Sequence, residues 1–315
     1  MGETPPPVPA EDPRVAILLS TRNGTRFLPE QLESLLGQTR QDWVLYWRDD
    51  ASDDGSPALV RAFAEKQATG RVIEIAGPAG RVGAMRSFLL LLGAARHHAL
   101  LAFADQDDVW LKAKLARGAA ALEAVPADRP ALYSARQVLV DGALRRIGLS
   151  LPSGLTRSFP ATLTQNLATG NTLMLNAAAA RLVAATTAPP ATVHDWWCNL
   201  VVSAAGGELI VDDEPVVLYR QHGGNMVGSS ASWPYRAVAA LRRGPGVFMG
   251  VFRQHVAALR AHADLLTPAA QAELEVIARG LGGGAADRLA ALRIRGLVRR
   301  RWLETLLFRY WFLIS

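Results

Sequence analysis

The sequence predicts an α/β protein built on a mostly parallel sheet, and three observations carry that prediction. Apolar runs of strand length recur at Val15-Ala16-Ile17-Leu18-Leu19-Ser20, Trp43 to Trp47, Val72-Ile73-Glu74-Ile75 and Leu100 to Ala104. Stretches with helical apolar spacing separate these runs and follow the last one. The runs give way to polar or glycine-rich loops, which a parallel sheet gathers at one edge, where open α/β folds bind ligands.

Taken in order, Thr21-Arg22-Asn23-Gly24 turns the chain after the first strand, and Leu28, Leu32, Leu35 and Leu36 keep helical spacing until Gly37. The second strand ends in Arg48-Asp49-Asp50. Asp53-Asp54-Gly55-Ser56-Pro57 then starts a helix whose Leu59, Val60 and Phe63 face inward. The third strand leads into a glycine-rich loop, Gly77 to Gly83, and a helix from Ala84 to about Ala95. The fourth strand breaks into Asp105-Gln106-Asp107-Asp108-Val109-Trp110, and Leu111, Leu115 and Leu122 then suit a helix. Ala131 to Val140 reads as a strand closed by the hairpin signal Asp141-Gly142. Residues 148–165 are loop-like, with Pro152, Gly154 and Pro160. Asn171 to Leu175 is a short strand, and Asn176 caps an alanine-rich helix running to about Thr186. His194-Asp195 opens a helix to Ala205. Leu209-Ile210-Val211 and Val216 to Tyr219 read as two strands joined by a turn at Asp212-Asp213-Glu214. Beyond Ser232 only helices are expected, with Gly280 to Gly284 as a flexible joint.

Half of the 315 residues are hydrophobic, enough for a large core. The single cysteine, Cys198, excludes an internal disulfide framework, fits a cytoplasmic setting and reads as inert core. Residues 1–13 are proline-rich and acidic without an apolar stretch, which predicts a disordered lead-in and no secretory signal. The longest apolar candidate for a membrane span, Phe88 to Phe103, is interrupted by Arg96, His97 and His98. The formal charge of +6 is uneven: from Arg236 onward there are 13 Arg, no Lys and 5 acidic residues, a net of +8, which leaves the rest at −2.

Three carboxylates, Asp105, Asp107 and Asp108, fall within four residues. Like charges this close repel unless a positive charge sits among them, and a hard divalent cation with oxygen ligands suits the cluster. A solvated acidic turn that caps the next helix is the alternative. No phosphate-binding P-loop is present, the spacing of Gly77, Gly80 and Gly83 misses the dinucleotide fingerprint, and no zinc spacing appears. What remains is a set of strand-end loops that can converge on one ligand: Thr21-Arg22-Asn23, Asp49-Asp50, Gly83 with Arg86, and Asp105-Gln106-Asp107. There an aspartate can accept from a pyrimidine imide, while an arginine and a metal can neutralise a diphosphate.

These pieces, in this order, resemble the family 2 glycosyltransferases from Val15 to about Gly228. The resemblance rests on Ser20-Thr21-Arg22-Asn23, Gln31 to Thr39, Asp49 to Ser56, Asp105 to Trp110, His194-Asp195-Trp196-Trp197 and Tyr219-Arg220-Gln221-His222-Gly223-Gly224-Asn225. The D-Q-D-D-V-W and R-Q-H-x-x-N forms look most like a bacterial rhamnosyltransferase-like branch that builds surface polysaccharides. The resemblance implies the nucleotide-diphospho-sugar transferase A-type fold, a Rossmann-like sheet flanked by helices. It implies a catalytic domain at 14–230, with a nucleotide-binding half (14–125) and an acceptor half (126–230). A basic helical extension follows at 231–315.

The same resemblance implies roles. Asp50 would hold the base or ribose, Asp107 would ligate Mg²⁺ or Mn²⁺, and Asp105 would contact ribose or a metal-bound water. Asp195 would be the catalytic base, and His222 a further metal or phosphate contact. Thr21, Arg22, Asn23, Gly83, Arg86 and Gln106 complete the nucleotide set, although relatives often carry a shorter polar residue at Arg86. His194, Trp196 and Trp197 would meet the acceptor, where each tryptophan suits either sugar stacking or core packing. The implied reaction is inverting transfer from a nucleoside-diphosphate sugar, with rhamnose as first candidate, to a saccharide or lipid-linked acceptor.

Two alternatives stand beside this reading. Asp105 to Val109 also fits the nucleophile loop of aspartate-dependent phosphatases, and a non-catalytic nucleotide-sugar-binding scaffold would share the fold. The tail, with Arg299-Arg300-Arg301 before Trp302, Leu303, Leu306, Leu307, Phe308, Trp311 and Phe312, suits either an interfacial helix on the anionic inner face of the plasma membrane or a helix packed on the domain. No nucleic-acid-binding motif accompanies its charge.

Overall fold

The computed structural model describes residues 11–151, 158–166, 168–222 and 245–315. Residues 1–10 of the expected lead-in, the 152–157 loop with Pro152 and Gly154, the Gly223-Gly224-Asn225 motif end and the expected boundary at 230/231 lie outside them.

The first half alternates as expected: β1 (Asp12–Thr21), α1 (Leu28–Leu36), β2 (Trp43–Asp49), α2 (Ser56–Glu65), β3 (Val72–Glu74), α3 (Ala84–Ala95) and β4 (His98–Ala104). β1 pairs in parallel with both β2 and β4, and β3 pairs in parallel with β2, giving the order β3-β2-β1-β4. The centres of β1, β2 and β4 read as unbroken apolar runs because both faces are covered, while β3 at the edge is only half-buried. Side chains still alternate: Val15, Ile17 and Leu19 enter one core with Leu28, Leu32 and Val60, while Ala16 and Leu18 enter the other with Phe88, Leu91 and Leu92.

β1 begins at Asp12, ahead of the expected end of the lead-in at residue 13. Asp12 pairs with His98, and the register then shifts before Val15. Pro13 lies at that irregularity, where a residue without an N–H is tolerated.

The second half is mixed. β5 (Val109–Trp110) and α4 (Lys114–Glu123) precede the hairpin of β6 (Ala131–Val140) and β7 (Arg146–Leu149). A short helix α5 (Ala161–Thr164) and a 3₁₀ turn at Gly170–Thr172 lead to β8 (Met174–Asn176), α6 (Ala177–Ala184), α7 (His194–Ala204) and β9 (Glu208–Arg220). β8 runs antiparallel between β4 and β6, β9 pairs in parallel with β6, and β5 closes the path antiparallel to β9. Parallel pairing therefore dominates the first four strands and gives way to mixed pairing beyond β4.

Two local expectations change. Asn171 to Leu175 is a 3₁₀ turn followed by β8, not one strand. The two strands expected around Asp212-Asp213-Glu214 are a single strand, with register shifts opposite Ala135–Gln137. Asp212 is taken up by Arg117 at 2.7 Å and by the Tyr133 hydroxyl at 2.8 Å, so this acidic run bulges without turning. Asn176 does cap α6, its side chain accepting from the Ala179 amide.

Among the described residues four helices follow: α8 (Gly246–Arg260), α9 (Pro268–Gly282), α10 (Ala285–Leu292) and α11 (Trp302–Ile314). Met249, Phe252, Leu274, Ile277, Phe308, Trp311 and Phe312 belong to the same core as Leu18, Phe103 and Trp197. The described part of the basic region is thus packed into the domain. Cys198 is buried there, and burial pushes its thiol upward.

Candidate active site

The site forms where the loops after β1, β2 and β4 meet the start of α7 and the end of β9. On the β2 side, Asp50 is buried and accepts from the amides of Val82 and Gly83 at 2.7 and 2.9 Å, and from Arg48 Nη1 at 3.1 Å. Burial opposes ionisation of Asp50, but the Val82 amide, the Arg48 guanidinium and the Gly83 amide together hold its carboxyl below the ordinary value. Gly83 has φ +85°, a backbone shape that suits glycine and turns its amide to the carboxylate. Arg48 also donates to Ser87 Oγ at 2.7 Å, so the β2 end, the glycine-rich loop and α3 form one braced unit.

The β1 and β4 loops brace each other. Gln106 Oε1 accepts from the Arg22 amide at 2.7 Å, and its Nε2 donates to the Arg22 carbonyl at 2.8 Å. Arg22 Nη1 donates to the carbonyls of Asp50 and Ala51, Thr21 Oγ1 donates to Asp49, and the Asn23 amide donates to Ser52 Oγ. Five of the residues expected at the nucleotide, Thr21, Arg22, Asn23, Asp50 and Gln106, therefore fix loop shape through these bonds. Arg86 lies exposed on the first turn of α3.

The Gln31 to Thr39 motif is also a brace. Ser34 Oγ accepts from the Trp110 amide at 3.0 Å, Gln38 bonds both Leu111 and Leu115, and the Thr39 amide donates to the Lys112 carbonyl. α1 thereby fixes the acidic loop between β4 and α4.

Asp105, Asp107 and Asp108 divide into three environments. Burial pushes the Asp105 carboxyl well above the ordinary value, and the charges of Asp108, Asp107 and Asp195 push the same way while Lys114 opposes them. Asp195 is tied to the same loop through the 3₁₀ turn, accepting from the Gly170 amide while the adjoining Asn171 donates to Asp108. Asp108 is buried and accepts from Asn171 Nδ2 and from the Arg220 amide at 3.1 Å; burial and the Asp107 charge push it up to about 7. Asp107 Oδ2 lies 2.9 Å from His222 Nε2.

Sequence reasoning missed the cations and amide that hold this cluster. Lys114 is buried, donates to the Asn171 carbonyl at 2.6 Å and the Phe103 carbonyl at 3.3 Å, and stands 3.2 Å from the centre of the Trp110 ring. Burial drives its ammonium well below the ordinary value while Asp108 and Asp105 oppose that shift. Arg220, also buried, donates to the carbonyls of Asp107 at 2.9 Å and Gly142 at 2.7 Å, to Glu30, and lies over Phe27. It stands in the Tyr219 to Asn225 motif at the end of the last strand, where the sequence reading gave it no role. Lys114 gave only its position beside the inward Leu115.

Asp195 lies in the first turn of α7, where Val193 is the N-cap. Its Oδ2 accepts from the Gly170 amide at 2.9 Å and its Oδ1 from the Trp196 amide at 2.7 Å. The free amides of a helix start favour a negative charge there. Of the three residues expected at the acceptor, two are buried in the core. His194 is buried with its ring between Phe88 and Phe103, at centroid distances of 4.1 and 5.1 Å, and burial lowers its pKa. Trp197 is fully buried, with its indole N–H on Thr186 Oγ1 at 2.9 Å. Only Trp196 of the three keeps substantial exposure, its N–H held by the Thr162 carbonyl at 2.7 Å.

The sequence model described as Glycosyl transferase family 2 matches residues 16–178, just over half of the chain. The chain belongs to this family. Its glycosyltransferase fold is shared with S. aureus TarS 1-349 in complex with UDP-GlcNAc, at a TM-score of 0.58 and 16% identity over 96% of this chain and 88% of that one. The mannosyltransferase PcManGT from Pyrobaculum calidifontis, in complex with GDP-Man and Mn²⁺, matches at a TM-score of 0.52 and 19% identity over 90% and 74% of the two chains. Against the longer S. aureus TarS chain, this chain spans 43% of the length. No curated protein matches in sequence. The family match removes the aspartate-phosphatase reading of Asp105 to Val109.

Among the described residues no cluster of three or more His, Cys, Asp or Glu side chains forms a metal cage. Asp107 and His222, hydrogen-bonded to each other at 2.9 Å, supply one oxygen and one nitrogen donor of the kinds a divalent ion takes.

Proposed function

We propose that the chain is an inverting glycosyltransferase that moves a sugar from a pyrimidine nucleoside-diphosphate donor, deoxythymidine-diphosphate rhamnose first, to a saccharide or lipid-linked acceptor. The observation that carries this reading is the placement of Asp195 against the acidic loop. Asp195, at the start of α7, accepts from the Gly170 amide, and the adjoining Asn171 donates to Asp108, so one turn ties a carboxylate of the second half of the chain to the acidic loop of the first.

In this reading the acceptor oxygen forms its bond to the anomeric carbon as the bond to the diphosphate breaks. Asp195 takes the hydroxyl proton, and the nucleoside diphosphate leaves with the bonding electron pair. Asp50 addresses the pyrimidine or ribose, supported from behind by Arg48, Val82 and Gly83. Asp107 and His222 would hold Mg²⁺ or Mn²⁺, the ion present beside GDP-Man in PcManGT, which when bound offsets the charge on the diphosphate. Arg220 fixes the acidic loop through the Asp107 carbonyl, and Lys114 ties the end of β4 to the 3₁₀ turn through the carbonyls of Phe103 and Asn171.

A panel of nucleotide-sugars with Mn²⁺, Mg²⁺ or chelator, read by melting temperature, tests the donor. Pyrimidine diphosphate sugars with metal should raise the melting temperature, since a ligand of the native state stabilises it. Tighter binding of guanosine diphosphate sugars would contradict the donor assignment, and equal shifts with metal and chelator would contradict the metal.

A further inference from the structure

The last helix has two apolar faces, and among the described residues only one of them is packed. Phe308, Trp311 and Phe312 are buried against Phe248 and Phe252 of α8. Trp302, Leu306 and Tyr310 are 71%, 52% and 57% exposed, and Leu303, Leu313 and Ile314 are exposed beside them. At 100° per residue the exposed set falls in one arc about 120° wide, opposite the buried set. Scattered single apolar residues need no explanation, but a contiguous stripe does.

Charge selects the occupant of that stripe. Residues 285–315 carry seven Arg and two acids, Asp287 and Glu304. Glu304 is paired with Arg299 at 3.5 Å, while Arg293, Arg295, Arg300 and Arg301 are exposed. Arg300, Arg301, Trp302 and Leu303 line one open hollow of about 390 Å³, so guanidinium groups and apolar surface share a concavity. A second copy of this chain would bring the same arginines face to face across a two-fold axis, which like charges oppose. A nucleic acid would leave the apolar stripe in water. No helix among the described residues is long and apolar enough to cross a membrane.

We infer that α11 lies on an anionic lipid bilayer. Trp302, Leu306, Tyr310 and Leu313 enter the headgroup boundary, and Arg300 and Arg301 take lipid phosphates beside them. The packed face, Phe308, Trp311 and Phe312, joins that surface to the catalytic domain, so docking holds the transferase at the membrane. The inference does not depend on the sugar-transfer reading, because it is measured without donor or acceptor.

The test is co-sedimentation of the full chain with phosphatidylglycerol-containing vesicles and with pure phosphatidylcholine vesicles, at low and high salt. Binding should require the anionic lipid and weaken with salt. Leu306→Asp combined with Tyr310→Asp should lower bound protein roughly tenfold or more without changing the melting temperature, because both positions are exposed. Arg300→Gln with Arg301→Gln should weaken binding by roughly fivefold per arginine and flatten the salt dependence. Absence of binding to anionic vesicles, or equal binding by wild type and both double variants, would overturn the inference. So would a wild-type dimer in sedimentation equilibrium that the Leu306→Asp, Tyr310→Asp variant converts to monomer.

Discussion

The first and second halves of this chain hold Asp50 and Asp195 in different ways. Asp50 is clamped by two amides and a buried guanidinium, and its neighbouring loops are cross-tied by Gln106, Arg22, Thr21 and Asn23. Asp195 has one amide from the Gly170 turn and one from its own helix. A braced carboxylate is suited to holding a ligand in one place. A carboxylate that leaves other lone-pair directions open at a helix start can accept a proton from an incoming hydroxyl. The proposed function assigns binding to the first of these carboxylates and reaction to the second, and that assignment can be tested.

That contrast can be broken at its strongest point. Asp50→Ala leaves Arg48 buried without its carboxylate and strands two amides. The expected cost is about 3–5 kcal/mol of stability, because removing one partner of a buried ion pair leaves an uncompensated charge. Denaturant unfolding and nucleotide titration should both report the loss. A variant of normal stability would mean that the Arg48 network closes without Asp50.

On the acceptor side the sensitive residue is a glycine. A Cβ at Gly170 would lie 2.6 Å from His194 Nε2, whose ring is confined between Phe88 and Phe103. Gly170→Ala should therefore cost about 1–3 kcal/mol by overpacking. It should also lower turnover more than donor affinity, since the Gly170 amide positions Asp195. An equal fall in both would place the turn in the donor half.

A smaller effect should appear with pH. Burial lowers His255 to about 4, from an ordinary value near 6.5, and burial lowers His194 as well. As pH falls from 6.5 toward 4 the unfolded chain takes up protons that the native protein refuses, so stability drops over that window and not above it. Melting temperature should fall by a few degrees, on the order of 2–4 °C per kcal/mol. His255→Phe, which keeps a ring beside Trp196 and Trp197, should flatten the decline. An unchanged acid profile in that variant would assign the decline to other groups.

The same two halves differ in what the sequence discloses. β1, β2 and β4 were legible because strands covered on both faces must be apolar throughout, and their loops carry contiguous polar motifs. β5 escaped because two residues beside three acids look like loop. β9 was split in two because Asp212-Asp213-Glu214 resembles a turn until Arg117 and Tyr133 are seen to absorb Asp212. Lys114 was invisible because a helical lysine is ordinarily solvated, and only the fold shows carbonyls around it. His194 and Trp197 sit in a polar-aromatic motif that suggests sugar contact, yet their rings fill the core between α7 and the sheet. The tail showed its basic charge and its aromatic residues, but not that one face of α11 is already packed.

The most direct test of a reacting acceptor half is Asp195→Asn, measured by donor calorimetry and by transfer rate on the same acceptor. Asparagine keeps an oxygen for the Gly170 amide, so the turn and the donor half should remain in place. If Asp195 is the base, donor affinity stays near wild type while turnover falls by roughly 10²–10⁴-fold, the range for a lost general base. A near-normal rate, or a loss of donor affinity as large as the loss of turnover, would contradict that role.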